Sequence, residues 1–302
     1  MLAASAAPLA AQFSTGVRVV NVFATVRDKQ GKLIGNLTRD DFELAEDGRK
    51  QTIRYFSAHS DLPVTLGILF DISGSQRAVI PEQRQATAAF LRQVLREGTD
   101  RAFLLGFNRR ISVLEAMTGE RARLEETLGR LDVPRGAAGQ LLQESQGTAL
   151  HDALAAAARM LAAQPGRKAI VVLSDGIDTA SSLRLSEAIE ATQRADTLVY
   201  TIRVYDRAVF AFEVESPGMD NLREGKKVLE RLARETGGSF FESSGAQTLA
   251  ANFSRIEDEL RNQYSLGYTP ASARGGAYRK IRVTVKPRDL TVHARDGYYT
   301  AE

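Results

Sequence analysis

The feature that most constrains the fold is an apolar run over residues 64–70 that ends abruptly in a carboxylate. Asp71 follows the run, and Ser73 and Ser75 come next at alternate positions. The run has the length and flanks of a buried strand. Because open α/β folds bind ligands at the carboxyl ends of such strands, these three side chains would form an all-oxygen cluster suited to Mg²⁺ or Ca²⁺. The alternative is that Asp71 and Ser73 only begin a turn and cap the next helix.

Two further segments bring oxygen-bearing side chains to the same expected edge. Residues 168–174 form a second apolar strand, which is followed by Asp175 and Gly176. Residues 147–154 read Gly-Thr-Ala-Leu-His-Asp-Ala-Leu and lead into an alanine-rich helical run, so Thr148 lies at a helix N-terminus. Three segments that are distant in sequence would therefore meet at one edge of one sheet.

The motifs D-x-S-G-S, G-T-x-L-x-D-A and L-S-D-G resemble the metal-ion-dependent adhesion site of von Willebrand factor type A (vWA) domains, over residues 61–262. The resemblance implies that one divalent cation, Mg²⁺ before Mn²⁺ or Ca²⁺, is held by Asp71, Ser73, Ser75, Thr148 and Asp175. Which of them bind directly and which through water stays open. It further implies that the chain is not an enzyme but a binding module. Such a module holds a protein partner through an Asp or Glu of that partner.

The middle of the chain alternates strands and helices as doubly wound folds do. This predicts an α/β, Rossmann-like vWA domain with a central, mostly parallel sheet. The predicted strands are 64–70, 101–107, 110–116, 168–174, 198–204 and 238–242. The predicted helices are 81–96, 120–131, 149–163, 186–195, 226–235 and 246–262, with a long loop over 206–225.

Both ends of the chain have the alternating pattern of half-buried strands. The predicted strands are 17–27, two within 37–57, and 263–269, 279–286 and 290–299. The N-terminal segment is too short for a core of its own. We therefore expect segments 13–60 and 263–302 to pair in one small antiparallel β unit beside the vWA domain.

A narrower resemblance rests on Asp-Phe-Glu-Leu-x-Glu-Asp-Gly near the N-terminus and on Tyr-Ser-Leu-Gly-Tyr-Thr-Pro and Gly-Tyr-Tyr near the C-terminus. These are similar to VWFA-related proteins that are abundant in Acidobacteria and predicted to be exported. Residues 1–12 are small, apolar and uncharged and lack a basic region, so we interpret them as a truncated signal peptide, with a disordered tail as the alternative. A secreted or periplasmic protein is expected.

Composition excludes several classes of function. The absence of cysteine excludes disulfides, thiol catalysis and thiolate metal sites. The net charge of +3 is small, and no dense basic stripe indicates a nucleic-acid partner. No apolar run reaches transmembrane length, so no transmembrane segment is predicted.

The strongest enzymatic alternative is a metal-dependent phosphatase of the haloacid-dehalogenase type with Asp71 as the nucleophile. That family carries a second Asp as general acid in D-x-D-x-T, whereas this chain has Ser73 there, which is a poor proton donor at neutral pH. In this alternative Asp175 and Asp178 would mimic the distal metal pair; otherwise Asp178 is an accessory ligand or a solvated loop acid. A serine hydrolase is disfavoured because G-x-S-x-G is missing and His151 is expected on the helix surface.

Overall fold

The computed structural model of the chain describes residues 19–58, 62–132, 147–205, 217–270, 276–286 and 289–300. The strands are β1 (Val20–Arg27), β2 (Phe42–Glu46), β3 (Arg49–Gln51), β4 (Tyr55–Ser57), β5 (Val64–Asp71), β6 (Arg101–Phe107), β7 (Ile111–Thr118), β8 (Arg167–Ser174), β9 (Thr197–Val204), β10 (Phe240–Ser243), β11 (Tyr264–Tyr268), β12 (Tyr278–Val285), β13 (Thr291–Ala294) and β14 (Gly297–Tyr299). The α-helices are α1 (Ile80–Val94), α2 (Arg121–Arg130), α3 (Leu150–Ala162), α4 (Leu185–Arg194), α5 (Pro217–Thr236) and α6 (Ala246–Asn262).

The central sheet has six strands in the order β10-β9-β8-β5-β6-β7. All neighbours are parallel except β6 and β7, which form the predicted hairpin. Every residue of β5, β8 and β9 is buried. Continuous apolar runs are typical of strands covered on both faces, so the burial explains why these strands lack alternation.

Helices cover both faces of this sheet. α1, α2 and α6 pack on one face through residues that include Phe90, Leu124 and Phe253. α3, α4 and α5 pack on the other face through residues that include Leu154, Ile189 and Leu229. The result is the doubly wound α/β architecture that the sequence predicts.

The two ends of the chain pair with each other, as predicted. β1 lies between β11 and β13, and β2 pairs with β12. They form two four-stranded sheets, β13-β1-β11-β4 and β14-β12-β2-β3, where a single antiparallel unit was expected. A shared apolar core that includes Val22, Leu44 and Tyr264 joins the two sheets.

Three elements differ from the sequence prediction. The strand predicted over 290–299 is two strands, β13 and β14, which lie in different sheets. The helix predicted over 226–235 begins at Pro217, so the predicted long loop 206–225 is helical in its last part. The second strand of the 37–57 segment is divided into β3 and β4.

Several predictions fall outside the described residues. These are the signal-like segment 1–12, the start of the strand predicted from residue 17, and residues 206–216 of the predicted loop. In the parts of the chain that the structure describes, no helix combines the length and apolar content needed to cross a membrane.

The strand order locates the expected binding edge. From β5 the chain continues to β6 and β7 on one side, and then crosses to β8, β9 and β10 on the other. The topological switch point therefore lies between β5 and β8, which are adjacent and parallel. Ligands of open α/β sheets bind at the carboxyl ends of the strands at such a point.

Candidate metal centre

Asp71, the last residue of β5, is fully buried at the switch point. Its Oδ1 accepts a hydrogen bond from the Ser73 backbone N–H at 3.0 Å. Its Oδ2 accepts one from the hydroxyl of Ser174 at 2.7 Å, and that hydroxyl accepts the Gly176 N–H at 3.0 Å. β5 and β8 therefore place both partners of Asp71 directly around its carboxylate.

Ser73 and Ser75 connect Asp71 to the second carboxylate. Their hydroxyl oxygens lie 3.1 Å apart, and the hydroxyl of Ser75 donates to Oδ2 of Asp175 at 3.2 Å. Ser73 precedes a short 3₁₀ helix but makes no side-chain cap, and α1 begins only at Ile80. The interpretation of Asp71 and Ser73 as caps of the next helix is therefore wrong, although Asp71 does accept a hydrogen bond within the turn.

Asp175 follows β8 and is 3% exposed. Its Oδ1 accepts the Ile177 N–H at 3.0 Å, and its Oδ2 accepts the side-chain amide of Gln76 at 3.1 Å. Gln76 is fully buried, and its own Oε1 lies 3.4 Å from the donor Nε2 of Gln83 on α1. Ser174 and Gln76 were not predicted from the sequence. The L-S-D-G motif contains Ser174, but no sequence pattern indicates that Gln76 reaches a residue 99 positions away.

The two carboxylates have raised pKa values. Burial, and then repulsion from Asp175, raise the pKa of Asp71 to about 7. Burial also raises the pKa of Asp175, in spite of its hydrogen bonds to Ile177, Ser75 and Gln76 and the nearby charge of Arg203. Two like charges buried side by side are costly unless an opposite charge joins them. The donor set of carboxylates and hydroxyls therefore fits a hard divalent cation.

Thr148 lies two residues before α3 and is 7% exposed. Its N–H donates to the hydroxyl of Thr179 at 3.0 Å, and its carbonyl oxygen accepts the N–H groups of Thr179 and Ala180. The structure thus joins Asp71, Ser73, Ser75 and Asp175 in one hydrogen-bonded cluster and joins Thr148, through its backbone, to the loop that follows Asp175.

Asp178 and His151 have structural contacts near this edge. Asp178 accepts hydrogen bonds from the His151 N–H at 3.0 Å and from the hydroxyl of Ser181 at 2.6 Å, so it caps α3. Nδ1 of His151 lies 3.1 Å from the Leu183 carbonyl oxygen. Their side chains are only 12% and 13% exposed, so the expectations of a solvated loop acid and of a surface histidine are wrong.

The carboxylates at this edge form a pair. Within the ranges described above, no three His, Cys, Asp or Glu side chains are grouped so that they could hold a metal ion. In this part of the chain, the neutral oxygens that are hydrogen-bonded to the pair include the hydroxyls of Ser75 and Ser174.

No family model and no curated protein matches the sequence. Solved structures do match. A von Willebrand factor type A protein from Catenulispora acidiphila is 13% identical, with 96% of this chain and 76% of that chain covered and a TM-score of 0.52. Proximal thread matrix protein 1 from the mussel byssus is 13% identical, with 72% of this chain and 51% of that chain covered and a TM-score of 0.51. The chain thus has the predicted vWA-type fold, and at this identity the matches show the fold alone.

Proposed function

We propose that this chain is a vWA-type binding module that holds a protein partner through a divalent cation. The observation that carries the proposal is the pair of buried carboxylates, Asp71 and Asp175, linked by serine hydroxyls at the switch point of the sheet. The side chains that donate hydrogen bonds to this pair are hydroxyls and an amide, which orient the carboxylates without neutralising them. The nearby charge of Arg203 lowers the pKa of Asp175, but burial outweighs it. A divalent cation supplies the missing positive charge.

The carboxylates and the hydroxyls among the proposed ligands have different roles. Asp71 and Asp175 balance the charge of the cation, either directly or through water. Ser73, Ser75 and Thr148 offer neutral oxygens, which leave the cation more electrophilic than a cage of carboxylates would. When bound, the cation supplies a coordination position for a carboxylate oxygen of the partner. Mg²⁺ is the first candidate, and Mn²⁺ and Ca²⁺ are the alternatives.

The proposed partner is a protein that presents an Asp or Glu side chain. A carboxylate matches the charge of the cation, and the shape of the surrounding loops would decide which acidic surface fits. We place this interaction outside the cytoplasm, which is supported by the resemblance of both ends of the chain to proteins predicted to be exported.

Calorimetric titration with Mg²⁺ and Mn²⁺ tests the cation. The unaltered chain should bind both ions, and Asp71→Asn should bind neither, because it removes a charge from the pair without changing the size of the side chain. Asp258→Asn is the control, since Asp258 is exposed on α6 and should leave affinity unchanged. Equal affinities in the unaltered chain and Asp71→Asn would reject the site.

Two assays separate binding from catalysis. Affinity capture from extracytoplasmic extracts, with and without a chelator, should recover a partner only when the cation is present. A panel of phosphatase substrates examines the enzymatic alternative. If the unaltered chain shows cation-dependent turnover and Asp71→Asn abolishes it, the phosphatase is the correct function and the binding module is rejected.

A further inference from the structure

Helix α5 touches the backbone of the Asp175 loop at a pair of glycines. A Cβ atom at Gly225 would lie 2.6 Å from the carbonyl oxygen of Asp175. A Cβ atom at Gly176 would lie 2.2 Å from the carbonyl oxygen of Gly225 and 2.8 Å from Cγ of Leu229. All three distances are shorter than nonbonded carbon contacts allow, so the helix and the loop approach this closely only because both residues are glycine.

Two buried side chains of β9 hold α5 in this position. Nη2 of Arg203 donates to the carbonyl oxygen of Leu222 at 2.9 Å. The hydroxyl of Thr201 donates to the carbonyl oxygen of Leu229 at 3.0 Å. These two contacts lie on either side of Gly225 along the helix, and β9 is the neighbour of β8, which carries the loop. The sheet therefore fixes the segment of α5 that touches Asp175.

Charged groups reinforce the contact at Arg203. Its Nη1 donates to Oε1 of Glu242 at 2.9 Å, and Nζ of Lys226 donates to Oε2 of the same carboxylate at 3.0 Å. Lys226 follows Gly225 directly, so β9, β10 and α5 are joined immediately beside the glycine contact.

We propose that α5 sets the position of Asp175 through this contact, which makes Gly225 a positioning residue for the candidate metal centre. The consequence for cation binding rests on the proposed function, whereas the positioning rests on the contacts alone. A displacement of α5 along or away from the sheet would move the Asp175 backbone and with it one carboxylate of the pair. The affinity of the cation and the position of α5 are then coupled.

Two alanine variants test the proposal. Gly225→Ala forces α5 and the loop apart. Gly129→Ala is the matched control, because it also places alanine in a helix but its Cβ would meet nothing within 4 Å. The readouts are Mn²⁺ affinity from the electron paramagnetic resonance signal of the free ion and amide hydrogen exchange in the cation-free protein. The reporting amides are those of Gly176 and Ile177, which donate to Ser174 and Asp175.

We expect Gly225→Ala to weaken Mn²⁺ binding roughly 10- to 100-fold, as loss of outer support does at metal sites. Exchange at Gly176 and Ile177 should accelerate, while amides of β6 keep their protection. Gly129→Ala should change neither readout and should raise the melting temperature, since alanine is the better helix former.

Exchange at Gly176 and Ile177 equal to that of the unaltered chain would overturn the proposal. If the unaltered chain binds no Mn²⁺, the proposed function fails, but these two amides still decide whether α5 positions the loop. If Gly225→Ala does not fold, Thr201→Val replaces it, because it removes the hydroxyl that holds Leu229 and keeps the side-chain shape. Unchanged exchange in Thr201→Val would then overturn the proposal.

Discussion

Both edges of the central sheet bury carboxylates, but the groups that donate hydrogen bonds to them differ between the two edges. At the amino edge, Asp100 has no exposed side-chain surface and accepts hydrogen bonds from the Val64 N–H at 2.8 Å and from the guanidinium groups of Arg96 and Arg261. At the carboxyl edge, Asp71 and Asp175 accept hydrogen bonds from hydroxyls, backbone amides and one side-chain amide.

The pKa values record this difference. Burial raises the pKa of Asp100, but the hydrogen bonds from Arg96, Arg261 and the Val64 N–H outweigh it, so the net shift is downward. At the carboxyl edge burial prevails, and both pKa values are raised. A buried acid that is hydrogen-bonded to its cations holds the fold together, whereas a buried acidic pair that accepts its hydrogen bonds from neutral groups is a candidate binding site.

The largest expected effect is the contrast between two matched substitutions. Asp100→Asn leaves Arg96 and Arg261 without their anion, so we expect a loss of about 3 kcal/mol in the free energy of unfolding. At pH 5 and without cation, Asp71 is largely protonated and Asp71→Asn replaces it with a neutral side chain of the same size, so we expect a change within about 1 kcal/mol in the free energy of unfolding. Urea denaturation in the presence of a chelator measures both. Equal losses would show that the two edges do not differ as argued.

Cation should stabilise only the carboxyl edge. Mg²⁺ at about 100 times its dissociation constant should add about 2.7 kcal/mol to the free energy of unfolding of the unaltered chain, because it binds only the folded state. Asp100→Asn should gain the same increment from its lower starting point. Asp71→Asn should gain none. Thermal melts over a series of Mg²⁺ concentrations provide the measurement, and an increment in Asp71→Asn would contradict the assignment.

The two edges also predict opposite responses to pH. The folded pKa of Asp71 is raised from 3.8 to about 7, so its stabilising contribution is full below about pH 4 and is lost as the pH rises through about 7. The folded pKa of Asp100 is lowered, so its contribution is present above about pH 4 and is lost as the pH falls through its folded pKa. Unfolding free energies of the cation-free chain and of Asp71→Asn, measured from pH 4 to 8, should therefore diverge. If the two unfolding free energies change with pH in parallel, the raised pKa of Asp71 does not contribute to the pH dependence of stability.

The sequence predicts the carboxyl edge well because its signals are local. An apolar run that stops at Asp71, and another that stops before Asp175, are visible in short windows, as is the helix predicted over 246–262 and observed as Ala246–Asn262. Parallel strands then bring the two ends together. The position of each carboxylate thus follows from the end of a strand.

The missed features depend on contacts between distant segments. Alternation continues through 290–299, but Arg295 is buried and hydrogen-bonded to Asp196, so the chain changes sheets there. The start of α5 reads as a turn because Pro217 and Gly218 are adjacent. Its first turns are held by the hydrogen bond from Arg203 to the Leu222 carbonyl, which no local pattern indicates.

A smaller effect is expected from the hydroxyl that orients Asp71. Ser174→Ala removes the hydrogen bonds to Asp71 and from the Gly176 N–H, which should cost about 1–3 kcal/mol of stability and weaken Mn²⁺ binding. Ser243→Ala is the matched control, because Ser243 is also a buried serine at the end of a parallel strand and bonds the Gly245 carbonyl. The control should lose stability but keep its Mn²⁺ affinity. If both variants lose Mn²⁺ affinity equally, the loss results from lower stability of the fold and not from the hydrogen bond between Ser174 and Asp71.

The smallest effect on stability is expected at Thr148. There the backbone contacts seen in the structure can be tested separately from the ligand role that the resemblance implies for the hydroxyl. The hydrogen bonds of Thr148 to the Asp175 loop are made by its backbone, so Thr148→Val should keep the fold and change the free energy of unfolding by less than about 0.5 kcal/mol. If its hydroxyl is a ligand, Thr148→Val should still weaken Mg²⁺ binding, and Thr148→Ser should retain it. Calorimetry on the two variants decides between them. If Thr148→Val binds Mg²⁺ as tightly as the unaltered chain does, the hydroxyl of Thr148 is not a ligand. The metal centre would then consist of the four residues joined by hydrogen bonds, Asp71, Ser73, Ser75 and Asp175.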